Sequence, residues 1–319
     1  MDYQVRQALL DDTAAISELF KSRIGVWQRM DERGHAQDVA YQRLSLYERW
    51  QHGVHYRGAW MSLETGALHL NHLLGGAGMP LTVVQGDQGV VGYAEVYHGV
   101  EAPPLNGVLH IAQLITDPAA VGADDALIDY LINFGKTHDV QQVTLTRASD
   151  ELLDAAVTRR FSLNAITCVR RYAVPTRAGQ VFYRAVDHSD ESPAQIHGWA
   201  MPIGRLTSAH HLWAMHMTRL WETIPEMRAR KTHRLKFSAA GQDAFLYCRQ
   251  NLYDLRTADV ACWTPKGLSV QLVAAIKDWG QREGYRALHM NISDENVTLF
   301  GGDIEPEGYT QEICALEMK

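Results

Sequence analysis

VGADDALIDYLINFGKTHDVQQVTLTR, from Val121 to Arg147, and KGLSVQLVAAIKDWGQREGYRALHMNI, from Lys266 to Ile292, carry one pattern twice. Gly122 and Gly267 stand 145 positions apart. At that offset, without a gap, Leu127 meets Leu272, Leu131 meets Ile276, Phe134 meets Trp279 and Gly135 meets Gly280. Val143 then meets Leu288, and Leu145 meets Met290. Each window reads as a turn glycine, an amphipathic helix, a C-capping glycine and a strand. Apolar spacing shared by any two helix–strand units explains the Leu and Ile matches. It does not bring both glycines into register. The chain is therefore read as an internal duplication.

The flanking segments keep one order. YQVRQALLDDTAAISELFKSRI (3–24) is a strand followed by a helix, capped at Asp11 or Asp12, with Ile16, Leu19, Phe20 and Ile24 on its apolar face. AQDVAYQRLSLYERW (36–50) predicts a second amphipathic helix. SLETGALHLNHLLGG (62–76) predicts a third, opened at Ser62–Thr65 and closed by Gly75 and Gly76. LTVVQGDQGVVGYAEVYHGV (81–100) is a hairpin turning at GDQG, and VLHIAQLIT (108–116) is the next strand. A helix from about Ala123 to Thr137 and a strand ending at Arg147 follow. A short helix near SDELLDAAVTRR (149–160) and the strand AITCVRRYAVP (165–175) close the first half; Pro175 to Gly179 is a linker. In the second half QVFYRAVDHSD (180–190) repeats the opening and DAFLYCRQ (243–250) repeats the hairpin strand. The Met- and Trp-rich MHMTRLWETIPEMRAR (215–230) reads as an amphipathic helix packed in the core. The fold class is α/β, with a mixed, mostly antiparallel central sheet flanked by helices in each of two domains, 1–175 and 180–319.

Composition excludes several functions. A formal net charge of -7 with no run of Lys and Arg argues against nucleic acid as a partner. No apolar stretch reaches the roughly 18 residues of a membrane span, and MDYQVRQALLDD does not read as a signal peptide. Cys168, Cys248, Cys262 and Cys314 are scattered and form no CxxC pair, which predicts free thiols in a reducing cytoplasm. His69 with His72, and His211 with His216, are too few ligands for a zinc site, so no metal is expected. No G-x-S-x-G, Walker or dinucleotide-binding pattern is present.

The order strand, helices, hairpin, strand, Gly turn, helix, strand, helix, strand resembles the GNAT superfamily of N-acetyltransferases, once in each half. YQVRQALLDDTAAISELF, VVGYAEVY with LHIAQLITDP, PKGLSVQLVAAIKDWGQREGYRALHMNISDEN and EGYTQEICALEM carry the resemblance. It implies two tandem GNAT-like domains, acetyl-coenzyme A or another acyl-coenzyme A as co-substrate, and an amine of a small molecule or peptide as acceptor. In that superfamily coenzyme A binds where a turn reads Gln or Arg, two residues, Gly, one residue, then Gly or Ala. Backbone N–H groups there face the pyrophosphate at a helix N-terminus. TPKGLS (264–269) keeps the glycine, puts Ser269 at the small position and adds a positive charge, although Thr264 replaces Gln or Arg. Lys266, Gly267, Leu268 and Ser269 are thus candidate coenzyme A residues. In AAVGAD (119–124), Ala119 and Asp124 depart from the pattern; Leu114, Ile115, Gly122 and Ala123 are that half's candidates. Asp124 and Asp125 complement the helix dipole by about 0.3–1 kcal/mol, and by the same argument repel a pyrophosphate. The sequence therefore favours the second-half turn.

Acetyl transfer to an amine needs a base for the ammonium, backbone donors for the thioester carbonyl and an acid for the leaving thiolate. Strand alternation puts Tyr93, Glu95 and Tyr97 on one face. The resemblance makes Glu95 and His110 base candidates, with Tyr97 beside them. A solvent-facing Glu95 and a core His110 are the structural alternatives. No tyrosine stands at the family's acid position, where Val157 and Thr158 lie, and GGDIEPEG interrupts the corresponding region of the second half. The missing acid leaves a second reading open, in which both halves have lost catalysis and the chain senses a ligand or acts as a scaffold.

Overall fold

Gly122 adopts a left-handed backbone (φ 90°) and Ala123–Thr137 follows as a helix, α4, with Leu127, Ile128 and Leu131 buried. Its counterpart α6, Val270–Arg282, opens on Ser269, whose hydroxyl accepts from the Leu272 amide at 3.1 Å. Both helices lead into strands, as the sequence predicts, but Gly135 and Gly280 lie inside the helices, whose C-caps are His138 and Glu283. The computed structural model describes residues 2–31, 35–52, 58–138, 140–147, 157–158 and 162–316. The short helix expected near 149–160 lies outside them except for Val157 and Thr158.

The strands of the first half are β1 (Gln4–Gln7), β2 (Gln28–Met30), β3 (Ala36–Asp38), β4 (Met79–Val84), β5 (Val90–Val100), β6 (Gly107–Thr116), β7 (Gln142–Arg147) and β8 (Leu163–Pro175). Those of the second are β9 (Tyr183–Asp187), β10 (Ala200–Ile203), β11 (Thr232–Ala239), β12 (Gln242–Gln250), β13 (Thr257–Thr264), β14 (Ala287–Ser293) and β15 (Glu305–Leu316). Apart from the small β2–β3 hairpin, they form one 13-stranded sheet in the order β1-β4-β5-β6-β7-β15-β8-β14-β10-β13-β12-β11-β9. Its pairs are antiparallel except β6–β7 and β13–β14, which are parallel. The last strand of each half crosses to the other: β15 pairs with β7, β8 pairs with β14, and β8 and β15 pair with each other.

The frame also includes α1 (Thr13–Lys21), α2 (Leu46–His52) and α3 (Leu63–His72) in the first half and α5 (Ala209–His216) in the second. Helices α4 and α6 each cover one face of their half's strands with an apolar core. On the opposite face of β5, Phe20 of α1, Trp60 and Tyr93 form an aromatic stack, with ring centroids 5.9 Å (Phe20–Trp60) and 5.0 Å (Trp60–Tyr93) apart. Each such pair adds about 0.5–1.5 kcal/mol beyond its area burial. No helix among the described residues is long and apolar enough to cross a membrane.

Two expected helices differ. Residues 36–50 are not one helix: Ala36–Asp38 pairs with Gln28–Met30, and α2 begins only at Leu46. The restart is a reciprocal cap, in which the Ser45 amide donates to Glu48 (2.6 Å) and the Glu48 amide donates to the Ser45 hydroxyl (3.2 Å). Residues 215–230 break into α5, a turn at Leu220–Thr223 and a single helical turn at Pro225–Arg228. Pro225 forces Ile224 into an extended backbone (ψ 121°) and so divides the segment. Met217, Trp221 and Met227 are nevertheless buried, as core packing requires.

Candidate active site

The pleat of β5 turns Tyr93, Glu95 and Tyr97 away from α4, and all three are buried. The Glu95 carboxylate accepts from the Tyr97 hydroxyl at 2.6 Å and from the Tyr93 hydroxyl at 3.2 Å. His69 Nε2, reaching down from α3, lies 3.0 Å from the same carboxylate. His211 Nε2, from α5 of the second half, lies 4.0 Å away, and its ring stacks on Tyr97 with centroids 4.2 Å apart. Thr207 Oγ1 holds the other nitrogen of His211 at 2.8 Å. The position of α5 is fixed by Glu101, at the end of the β5–β6 hairpin. Its carboxylate accepts from the Ala209 amide at 2.9 Å and pairs with the buried Arg205 guanidinium.

Burial alone would push the Glu95 carboxyl up. The charge and hydrogen bond of His69, the charge of His211 and the Tyr97 hydroxyl outweigh it and hold Glu95 at about 2. Burial and the neighbouring carboxylate raise both phenols well above their usual range. Burial also pushes His211 down to about 4, against the pull of Glu95. A carboxyl at about 2 keeps almost no proton near neutral pH, which makes Glu95 a weak general base and a strong fixed acceptor. His110 is the ladder neighbour of Tyr97. Its Nδ1 is 2.9 Å from Thr144 Oγ1 on β7, its buried Nε2 has no partner among the described residues, and burial holds it well below the usual histidine value.

Beside this cluster the sheet parts. The parallel ladder of β6 and β7 runs from Val108↔Gln142 to Ile111↔Leu145. On the β5 side, Glu95 faces Gln113 and Val96 faces Ile111, so Ala112 is the extra residue of a bulge. A bulge leaves its extra residue outside the ladder and bends the strand. Ala112, partly buried against Tyr97 and Leu73, thus marks the point where β6 leaves β7.

The second half parts at the equivalent place and is filled. The β13–β14 ladder ends at Val260↔Met290. Beyond it β10 enters, with Ile203 pairing to Cys262 on one side and Ile292 on the other. Gly204 follows at φ 86° and donates its amide to the Asn291 carbonyl at 2.7 Å. A Cβ at this position would lie 2.7 Å from Ala261 Cα, so only glycine seats the segment this deeply.

Part of the hydrogen bonding of each Gly turn is met from within the chain. In the first, Asp124 Oδ1 accepts from the Asp125 amide at 3.0 Å. In the second, the Ser269 hydroxyl caps the helix and donates to Gln242 Oε1 at 2.7 Å, while the Gln242 amide donates to the Gly267 carbonyl. Lys266 and Gly267 are exposed.

No protein-family profile matches the chain, and no curated protein matches it by sequence. Solved structures do match. A GCN5-related N-acetyltransferase from Anabaena variabilis superposes with a TM-score of 0.58 at 11% identity, over 98% of this chain and 72% of that one. One from Kribbella flavida gives 0.56 at 13%, over 98% and 70%. A putative acetyltransferase from Pyrococcus horikoshii gives 0.50 at 12%, over 99% and 90%. The fold is that of the GCN5-related N-acetyltransferases, in tandem.

Among the sequence candidates, this tandem GNAT fold brings Glu95 and Tyr97 into direct contact and sets His110 beside Tyr97. Glu95 is not solvent-facing: it is fully buried. Leu114 and Ile115 follow the bulge on β6, and Gly122 and Ala123 open α4. Lys266, Gly267, Leu268 and Ser269 form the turn before α6, beyond the gap that β10 fills. His69 and His211 were legible only as incomplete zinc pairs, and the fold separates them from that role. Each goes to Glu95, while His216 packs on Tyr247 with centroids 4.5 Å apart. Among the described residues no group of three or more His, Cys, Asp or Glu could hold a metal ion.

Proposed function

We propose that the chain is an acyltransferase that moves an acetyl or other acyl group from coenzyme A to an amine of a small molecule or peptide. We further propose that the first half does the chemistry. The two halves, 1–175 and 180–319, are on this reading copies of one unit with unequal roles. The observation that carries it is the contrast between the two strand partings. The first has a bulge at Ala112 beside a buried polar cluster. The second is bridged by β10, so an extended thioester arm could enter it only by displacing a strand. This contrast moves the assignment away from the second-half turn, despite its better sequence.

Coenzyme A, as co-substrate, supplies the acyl thioester. The backbone from Ala112 to Ile115 offers N–H groups to a developing oxyanion. Glu95 acts by position, holding Tyr97 and His69 in fixed rotamers next to the bulge. Tyr97 and His110 border the same point as proton-handling groups. The start of α4, Gly122 and Ala123, takes the phosphate end. Because Asp124 already satisfies the Asp125 amide there, phosphate binding at this turn is weak.

Titration calorimetry with acetyl-coenzyme A tests the reading. It is expected to show one site per chain, unchanged in Lys266→Glu. No binding, two sites, or loss of the site in Lys266→Glu would overturn it. A thiol-release assay against a panel of amines then separates chemistry from binding: Glu95→Gln is expected to lose turnover while still binding acetyl-coenzyme A.

A further inference from the structure

A cavity of about 250 Å3 lies on the face of the second-half sheet opposite α6, where α2 and α5 of the two halves come together. Trp50, Trp221 and Met215 form apolar walls, and Gly204 and Leu206, which follow the strand filling the β13–β14 gap, close another side. The cavity is therefore separated from that gap by backbone. Its polar side is cationic. Arg171 donates to Asp259 at 2.7 Å and to Glu307 at 3.3 Å, and His289 Nδ1 also meets Glu307 at 2.7 Å. Both carboxylates are thus engaged. Arg249, the ladder neighbour of Asp259, makes no ion pair among the described residues. Its hydrogen bond is to Met227 Sδ at 3.8 Å, and its Nε is buried without a partner. Arg230, close enough for its charge to act on Arg249, is bonded to the Tyr47 hydroxyl rather than to an acid. Arg171 is thus answered by two carboxylates, and Arg249, on the same cavity wall, by none among the described residues.

Arg249 is half-buried, and a cation partly withdrawn from water with no acid beside it favours an anion in contact with it. The group without an acidic partner here is the Arg249 guanidinium, beside indole walls. We propose that this cavity binds a small monoanion with an apolar body, a carboxylate held by the planar fork of Arg249 with its body between Trp50 and Trp221. A dianion fits less well, because Asp259 also faces the cavity. The site is independent of the acyl-coenzyme A assignment above.

Benzoate and its neutral isostere benzamide are the probes, followed by tryptophan fluorescence and by calorimetry on the full chain. Benzoate is expected to bind at least tenfold more tightly than benzamide. Arg249→Gln should abolish that preference while leaving the thermal midpoint unchanged or raised, because it removes a half-buried charge that has no acidic partner among the described residues. Arg249→Lys should retain part of it. Equal affinity for the two probes, no binding of benzoate, or wild-type preference in Arg249→Gln overturns the proposal. So does competition between coenzyme A and benzoate, which would assign the cavity to the acyl carrier. If Arg249→Gln does not fold, the comparison of the two probes on the unmodified chain decides alone.

Discussion

Replacing Glu95 by Gln removes one charge from the centre of the first-half cluster and little else, since the two side chains are nearly isosteric. The fold holds the Glu95 carboxyl at about 2, against an ordinary value of 4.5. A difference of that size corresponds to about 3 kcal/mol of preference for the charged form in the native state. The group is fully buried, so solvent screening takes little from that figure. The hydrogen bond from Tyr97, one of the causes of that lowering, belongs to a class worth about 1.5–3 kcal/mol when the acceptor is charged. Because His211, at about 4, is neutral at pH 7 and its charge is then absent, Glu95→Gln is expected to lower stability by about 2–3 kcal/mol there. The sign with pH is fixed by the depressed native value. The stabilisation is complete above about 4.5 and is lost as pH falls toward 2. The gap between wild type and variant should narrow over that window. Urea denaturation followed by tryptophan fluorescence, at several pH values, measures it. A loss below about 1 kcal/mol at pH 7, or a gap that does not shrink in acid, would refute the reasoning.

Burial pushes His216 down to about 3, so it stabilises the fold only while neutral. Stability should fall as pH drops below 6.5 toward 3, and less steeply in His216→Phe; thermal midpoints between pH 7.5 and 4.5 would show the change in slope, and parallel curves would refute it. Gly204→Ala forces a Cβ to within 2.7 Å of Ala261 at a left-handed backbone position. It should cost about 1–3 kcal/mol in calorimetric unfolding, and a loss under about 0.5 kcal/mol would mean that β10 is not seated in the gap.

The duplicated unit was legible because it rests on local signals: two turn glycines, helical apolar spacing and short strands. The same signals gave the face of β5 that carries Glu95. What was not legible is non-local. Nothing in HLNH or HHLWAMH says that one histidine of each pair goes to a glutamate on β5, since that depends on where α3 and α5 dock. The filling of the β13–β14 gap was hidden for a similar reason. AMPI reads as an ordinary short strand, and only the pairing of Ile203 to strands on both sides reveals its place. The break at residues 36–50 came from a cap, Ser45 with Glu48, that helical periodicity over the whole segment concealed.

The closed parting of the second half has a consequence for the first. Immediately after β10 and Gly204 the chain presents Arg205, Thr207 and the start of α5 to the first half. Arg205 pairs with Glu101, Thr207 holds His211, and His211 completes the surroundings of Glu95. The segment that blocks one parting is thus the segment that furnishes the other. Removing one partner of a buried ion pair costs about 3–5 kcal/mol, so the Glu101–Arg205 contact ties the docking of α5 to the seating of β10. The exchanged strands act in the same direction, because β7 gains β15 and β14 gains β8 only when both halves are present. The polar cluster around Glu95 is in this sense a property of the whole chain, built by the first half and completed by the half whose own gap is shut.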